Sequence, residues 1–178
     1  MKARVYYKLE DRSSLLERDY NRAVNSDGSF AAGRVLGLDV GRRRIGIAVS
    51  DPLGITAQGL KTLERKNKRH DIDYLQQVVR EYEVREIVVG LPLRMSGSEG
   101  TQSEKMRAFA DELHKKLGLP VHLWDERLTS AEANRFLRET ELSIEKRGKA
   151  VDRMAAVLIL QGWMESQKSR GGGGTIEG

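Results

Sequence analysis

Short apolar runs alternate with longer amphipathic stretches between residues 34 and 167. Three apolar runs separated by short turn sequences predict an antiparallel meander of strands, at 34–40, 44–50 and 55–63. Two later runs, at 86–90 and 121–124, are short and continuous, which is typical of buried strands. The pattern therefore predicts an α/β fold with a mixed five-stranded sheet of three antiparallel and two parallel strands.

Apolar positions at helical spacing predict the helices that flank this sheet. They follow the third strand from Ile72 to Tyr82, the fourth from Met106 to Leu117, and the fifth after residue 129. Thr101-x-x-Glu104 and Thr129-x-x-Glu132 have the form of capping boxes. The charged segment 138–149 is predicted to separate the last helix, which starts near Val151, from the helix before it.

Asp39 is a carboxylate within the otherwise apolar run 34–41. A charge in a core strand costs several kcal/mol unless a cation or hydrogen bonds compensate it. The run pairs with 45–50 across the basic turn Gly41-Arg42-Arg43-Arg44, which places the acid near the open end of a hairpin. Asp39 therefore needs partners from elsewhere in the chain.

Two further carboxylates are predicted to converge on Asp39. The C-terminal ends of parallel strands share one sheet edge, and Glu126 lies just beyond the fifth strand. Asp152 is expected in the first turn of the last helix, where the dipole favours an anion. We expect the three carboxyl groups within about 8 Å of one another, close enough to share one or two cations.

Three carboxylates sharing divalent cations suit phosphodiester hydrolysis with water as the nucleophile. The acids would be the metal ligands, and the arginines of the basic turn could meet backbone phosphates. Asp51, in Ser50-Asp51-Pro52, is instead predicted to be a turn residue.

Composition narrows the remaining possibilities. The net charge of +5 and a pI near 9.5 favour a polyanionic partner such as nucleic acid. Cysteine is absent, and His70, His114 and His122 match no metal-binding spacing, so a hard cation held by oxygen is expected. No run approaches the roughly 20 apolar residues needed to span a bilayer, and no secretory signal is present, which predicts a cytoplasmic protein without membrane contact.

The two ends differ from this domain in composition. Residues 1–33 are predicted to be a flexible or partly helical extension, and the glycine-rich residues 168–178 a disordered tail. Residues 34–167 would then form the compact domain.

Four ordered blocks of this sequence resemble the YqgF family. They are the Gly37-x-Asp39-x-Gly41 block with its basic turn, Val88-Val-Gly90-Leu-Pro92, Asp125-Glu126-Arg127-Leu-Thr129, and Val151-Asp152-Arg-Met-Ala155-Ala156. Members of the family are described as Holliday junction resolvases and as nucleases that process the 5′ end of pre-16S ribosomal RNA. The resemblance covers residues 34–165.

This resemblance implies a ribonuclease-H-like fold and a catalytic, metal-binding triad of Asp39, Glu126 and Asp152. It also implies Mg²⁺ or Mn²⁺ as cofactor and substrate contacts at Arg43, Arg44 and Arg127. Ser96 and Ser130 depart from residues that are common in the family, aspartate and threonine respectively.

Several functions remain open at this point. The leading one is a nuclease for pre-rRNA; the alternative of a junction resolvase acting on branched DNA would require a homodimer, because two symmetric cuts need two sites. A nucleic-acid-binding protein that cuts nothing is a second class. An actin-like or sugar-kinase-like phosphotransferase is a third, although such proteins generally need two domains around a nucleotide.

Overall fold

The computed structural model describes residues 33–92, 100–125 and 144–171. Within these ranges the strands are β1 Arg34–Val40, β2 Arg44–Ser50, β3 Ala57–Gly59, β4 Leu63–Glu64, β5 Val84–Leu91 and β6 Val121–Asp125. The helices are α1 Lys68–Glu81, α2 Thr101–Leu117 and α3 Ile144–Gly171. The second predicted capping box, Thr129-x-x-Glu132, and the helix expected after it lie outside the described residues.

The described strands form one mixed sheet in the order β3-β2-β1-β5-β6, with β4 also pairing with β2. The pairs β1–β2, β2–β3 and β2–β4 are antiparallel, and β1, β5 and β6 run parallel. This arrangement confirms the predicted meander followed by two parallel strands.

The third predicted strand, 55–63, is wrong as a continuous element. The Asp51 carboxylate accepts hydrogen bonds from the backbone N–H groups of Ile55 and Thr56, both at 2.7 Å. These donors are held in a turn and are not available to a strand ladder, so β3 begins only at Ala57. The prediction of Asp51 as a turn residue is confirmed.

The helix starts depart from the sequence expectations. Helix α1 begins before its first apolar position because the Asn67 side chain caps it, accepting the His70 N–H at 2.9 Å. In α2 the N-cap is Gly100, which makes no side-chain hydrogen bond. The prediction that Thr101 caps this helix was therefore wrong. The Ser103 hydroxyl donates to the Pro92 carbonyl at 2.5 Å and ties this helix start to the end of β5.

Helix α3 begins at Ile144 and not near Val151. Residues 144–149, part of the charged segment 138–149 predicted to separate two helices, are therefore its first turns, and the Glu, Lys and Arg residues among them are good helix formers. The helix continues to Gly171, past the end of the predicted compact domain at residue 167. None of the described helices is long and apolar enough to cross a membrane.

The sheet has a helical layer on each face. Alternate β1 side chains pack against the two helical layers, because successive residues of a strand point to opposite faces. On one face Leu36 and Leu38 pack in a cluster with apolar residues of α1 and α2; on the other, Val35 joins a cluster with Ala156 and Leu160 of α3. By this alternation Asp39 lies on the face that α3 covers.

Candidate active site

Asp39 lies opposite Gly46 in the β1–β2 pair, one residue before the last pair of the hairpin. The acid is therefore next to the turn, and the expectation that it lies near the open end was wrong. Its position near the C-terminal end of β1 is as expected, because β1, β5 and β6 all run toward this edge of the sheet. We call it the site edge.

Burial, and after it the negative charge of Asp152, raises the pKa of Asp39 to about 6. Among the described residues, none donates a hydrogen bond to the Asp39 carboxylate. The structure thus brings two of the three predicted acids together, and it leaves Asp39 without the compensation that its burial calls for.

Glycines in the strands allow α3 to approach closely enough for this meeting. A Cβ atom on Gly46 would overlap the backbone carbonyl of Asp152, and one on Gly37 would lie 2.7 Å from the Cβ of Leu160. On β3, a Cβ on Gly59 would overlap the side chain of Arg153. These three glycines, Gly37, Gly46 and Gly59, are the glycine floor, the part of the sheet against which α3 packs.

Asp152 has a cationic partner from the sheet. The Arg44 Nε donates to Asp152 Oδ2 at 2.5 Å, with the two side chains 30% and 23% exposed. The same guanidinium packs against Gly148, where a Cβ would lie 2.6 Å from one of its nitrogens. Because α3 begins at Ile144, Asp152 is not in the first turn, and the predicted dipole contribution to its stability was wrong; Arg44 supplies the positive charge instead.

The turn that carries the arginines is held by a buried ion pair. Arg65 donates from Nε to Asp71 at 2.8 Å and from a terminal nitrogen to the Gly41 carbonyl at 2.8 Å. Its guanidinium lies 5.6 Å from the centre of the Phe109 ring. Asp71 is only 1% exposed, so this pair fixes the turn directly after Asp39 in one position.

The remaining predicted site residues differ in where they lie. Arg43 is exposed in the turn, whereas Arg44 is engaged with Asp152. Glu126 and Arg127 lie outside the described residues, so their predicted roles stay predictions. Strand β6 reaches the site edge at Asp125, which is in register with Leu91 at the end of β5.

Two acids on adjoining elements fit a hard divalent cation. Carboxylate oxygens are the ligands that Mg²⁺ and Mn²⁺ accept, and a cation would offset the burial and repulsion that raise the Asp39 pKa. Within the described residues no group of three potential metal-binding side chains occurs, so Asp39 and Asp152 form the described part of such a site.

The histidines have structural contacts, as the sequence indicated. His114 Nδ1 lies 2.8 Å from the Leu119 carbonyl at the end of α2, and His122 Nε2 lies 2.9 Å from a carboxylate oxygen of the buried Glu86. His122 also lies 5.2 Å from Trp163 of α3, measured between ring centres.

Sequence reasoning missed the glycine floor and the Arg65–Asp71 pair. A glycine inside a strand is a signal of close backbone approach, and Gly37 in β1 and Gly46 in β2 carry that signal. The Arg65–Asp71 pair leaves no such signal, because one acid and one base six positions apart are common in any charged sequence.

Comparison with known proteins places the chain in a family of nucleases. The family model RuvX, described as Holliday junction resolvase, matches residues 33–166. A "Putative pre-16S rRNA nuclease" of Koribacter versatilis (strain Ellin345) is 65% identical over 137 residues, which cover 77% of this chain and 90% of that protein. A protein of the same name from Clostridium novyi (strain NT) is 53% identical over 133 residues, covering 75% and 98%.

A solved structure supports the fold. T. thermophilus RuvC, in complex with a Holliday junction substrate, aligns with a TM-score of 0.51 at 12% identity, covering 77% of this chain and 96% of that one. This likeness confirms the ribonuclease-H-like fold, and the names of family and relatives confirm a hydrolase of phosphodiester bonds over a phosphotransferase. The chain belongs to the RuvX family, the YqgF family that its sequence blocks resemble.

Proposed function

We propose that this nuclease processes the 5′ end of pre-16S ribosomal RNA, using a divalent cation held by Asp39, Asp152 and Glu126. The observation that carries the proposal is the half-buried Asp39 next to Asp152, with a raised pKa and no compensating donor among the described residues. The names of the two relatives favour ribosomal RNA as substrate. Such a function would place the protein in the cytoplasm, where ribosomes are assembled.

The chain's own groups have separable roles in this reaction. Asp39 and Asp152 supply oxygen ligands from the sheet and from α3, and the glycine floor sets the separation between them. The exposed Arg43 is placed to meet a phosphate next to the one that is cut. When bound, Mg²⁺ or Mn²⁺ lowers the pKa of a ligated water and stabilises charge on the leaving oxygen.

The experiment compares a 5′-extended pre-16S rRNA fragment with a four-way DNA junction, each with Mg²⁺, with Mn²⁺ and with EDTA. We expect metal-dependent cleavage of the RNA at its 5′ extension and none by Asp39→Asn. Failure to cut either nucleic acid with any metal contradicts the proposal. A binding protein that cuts nothing would instead bind the RNA without cleaving it, and Asp39→Asn would bind as tightly as the wild-type protein.

Junction resolution is the second candidate, favoured by the description of the family model. Two symmetric cuts need two sites, so it requires a homodimer. Light scattering after size-exclusion chromatography, together with mapping of both cuts on a junction, tests it. Paired cuts by a dimer, without cleavage of the RNA, would replace the proposed function with this one.

A further inference from the structure

Two basic segments of the chain meet at the site edge. The first is the turn 41–44, with Arg42 and Arg43 exposed, and the second runs from the end of β4 into the first turn of α1. Strand β4 pairs with β2 through Glu64 and Arg44, and the Arg65 N–H then donates to the Arg43 carbonyl at 2.9 Å. Lys66 follows directly, and both segments therefore lie at the edge that holds Asp39.

The structure fixes these segments to each other at some energetic cost. Arg65 bonds to the Gly41 carbonyl of the turn and to Asp71 of α1 at the same time. Taking this ion pair out of water is unfavourable, and a well-packed apolar pair is often at least as stable. What the pair achieves is a defined position of the turn relative to the start of α1.

The exposed cations on these segments outnumber the available acids. Arg42, Arg43, Lys66 and Arg69 are exposed, and within the described chain no carboxylate forms an ion pair with the first three. Arg69 is 93% exposed and reaches Asp73 only at 3.9 Å. The nearby acids are already engaged: Asp71 with Arg65, Glu64 with Lys149, and Glu112 with Lys68.

Helix electrostatics does not explain this placement. Basic side chains at the start of a helix oppose its dipole, which is positive at that end. The helix dipole therefore disfavours cations in the first turn of α1, and among the described residues the ion pairs Lys68–Glu112 and Arg69–Asp73 are what offsets this in the folded protein. A polyanion lying over this edge would gain from both the side chains and the dipole.

We infer that Arg42, Arg43, Lys66 and Arg69 form a basic ridge that binds phosphates of the substrate strand outside the bond that is cut. The inference rests on the proposed function for the identity of the substrate. Long exposed cations contact a phosphate backbone without reading its sequence. A strand leaving Asp39 across this edge meets the turn first and the start of α1 next, which gives the ridge an order along the substrate.

The double variant Lys66→Ala/Arg69→Ala tests the ridge without touching Asp39, Asp152 or Arg65. Its binding to the 5′-extended pre-16S rRNA fragment is measured by fluorescence anisotropy in EDTA at several salt concentrations. Losing two phosphate contacts reduces the slope of log K against log salt by about 1.4 to 1.8. We expect affinity about tenfold weaker near 0.1 M salt, and kcat/KM lowered with kcat at saturating RNA retained.

Lys115→Ala/Lys116→Ala is the matched control. These lysines are also exposed and adjacent on a helix, but they lie at the C-terminal end of α2, at the opposite edge of the sheet. The control should keep the wild-type slope. An equal loss of slope in both variants, or no loss in Lys66→Ala/Arg69→Ala with an unchanged melting temperature, overturns the ridge.

These outcomes are distinguishable from failure of the proposed function. If the wild-type protein does not cut the RNA but its salt slope depends on Lys66 and Arg69, the ridge stands and the proposed reaction fails. If the RNA is cut and the slope of log K against log salt does not depend on Lys66 and Arg69, the proposed reaction stands and the ridge fails.

Discussion

At the residue scale, Asp39 makes the stability of the metal-free protein depend on pH. Its pKa is about 6 in the fold against 3.8 for an ordinary aspartate, so the fold favours the protonated form. The contribution of this carboxyl group to the free energy of unfolding is at its maximum below about pH 4 and is lost as the pH rises through about 6. The loss amounts to at most about 3 kcal/mol, from 1.36 kcal/mol per pKa unit.

Asp39→Asn should therefore stabilise the metal-free protein at neutral pH while abolishing cleavage. We expect an increase of up to about 3 kcal/mol in the free energy of unfolding at pH 7.5, shrinking toward zero near pH 4. Urea unfolding in EDTA across this range measures it. Equal stability of variant and wild type at pH 7.5 would show that the carboxylate is already compensated in the fold.

Asp51 provides a control of opposite sign. Hydrogen bonds from the backbone N–H groups of Thr56, Ile55 and Leu53 lower its pKa. The stability it contributes is present above its unfolded pKa and is lost as pH falls. Asp51→Asn should therefore destabilise the protein at neutral pH, with the difference narrowing in acid, where Asp39→Asn also loses its effect.

Gly46→Ala tests the close approach of α3 to the sheet. The new methyl group would overlap the backbone of Asp152, which no rotamer change can relieve. Overpacking of this kind costs about 1–3 kcal/mol, and a shifted α3 would also separate Asp152 from Asp39. We expect lower stability and loss of the stabilisation given by Mg²⁺, both measured by thermal unfolding.

Gly54→Ala is the comparison for Gly46→Ala. Its φ of +64° makes alanine costly by about 1–2 kcal/mol, but nothing lies within 4 Å of the added methyl group. This variant should lose stability and keep its response to Mg²⁺. If Gly46→Ala also keeps that response, the spacing set by the glycine floor does not govern metal binding.

At the element scale, Arg44 joins β2 to α3 through Asp152 in the absence of metal. A cation on Asp152 has to compete with this guanidinium. Arg44→Gln should lower stability in EDTA by about 1–3 kcal/mol, because a charge-assisted hydrogen bond is lost. It should also increase the gain in melting temperature on adding Mg²⁺, since the competitor is gone.

Arg43→Gln serves as control for Arg44→Gln in the same turn. Arg43 is exposed, so its replacement should change stability by less than about 0.5 kcal/mol. An Arg44→Gln protein whose response to Mg²⁺ equals that of wild type would show that the ion pair and the metal do not compete.

The strands could be predicted from sequence where burial alone decides them. The runs that became β1, β2 and β5 are apolar on both faces; the predicted ranges of β1 and β2 agree with the structure, and β5 extends the predicted 86–90 to Val84–Leu91. Element ends were less predictable, because they depend on single polar contacts. The Asn67 cap set the start of α1, and the Asp51 turn delayed β3.

Sequence pointed to the juxtaposition of Asp39 and Asp152 better than to the electrostatics around them, while Glu126 and Arg127 stay predictions. An acid in a core strand pointed to Asp39, and the structure brings Asp152 to it. The predicted helix-dipole stabilisation of Asp152 was wrong because residues 144–149, part of the charged segment predicted to separate two helices, belong to α3. Its true partner, Arg44, is 108 positions away, a separation at which sequence spacing carries no information.

At the scale of the whole molecule, divalent metal should act as a stabilising ligand. A ligand at one hundred times its Kd adds about 2.7 kcal/mol to the free energy of unfolding. We expect Mg²⁺ or Mn²⁺ to raise the melting temperature, EDTA to reverse the rise, and Asp39→Asn to abolish it. Protons compete for Asp39, so the effect should weaken as pH falls below about 6.

Equal metal-induced stabilisation of the wild-type and Asp39→Asn proteins would place the bound ion elsewhere. Lys115→Ala/Lys116→Ala, altered at the opposite edge of the sheet, should respond as wild type does. This control separates a site at Asp39 from a general effect of ionic strength on a protein of net charge +5.

The glycine floor has a consequence for when activity first appears during folding. Asp39 and Asp152 come from strands and a helix far apart in the chain, and only docking of α3 on bare strand backbone joins them. Contacts between such distant segments carry a large loop-closure cost and tend to form late. A chain whose sheet has formed but whose α3 is still undocked therefore lacks Asp152 at the site, and we expect no nuclease activity until the helix docks.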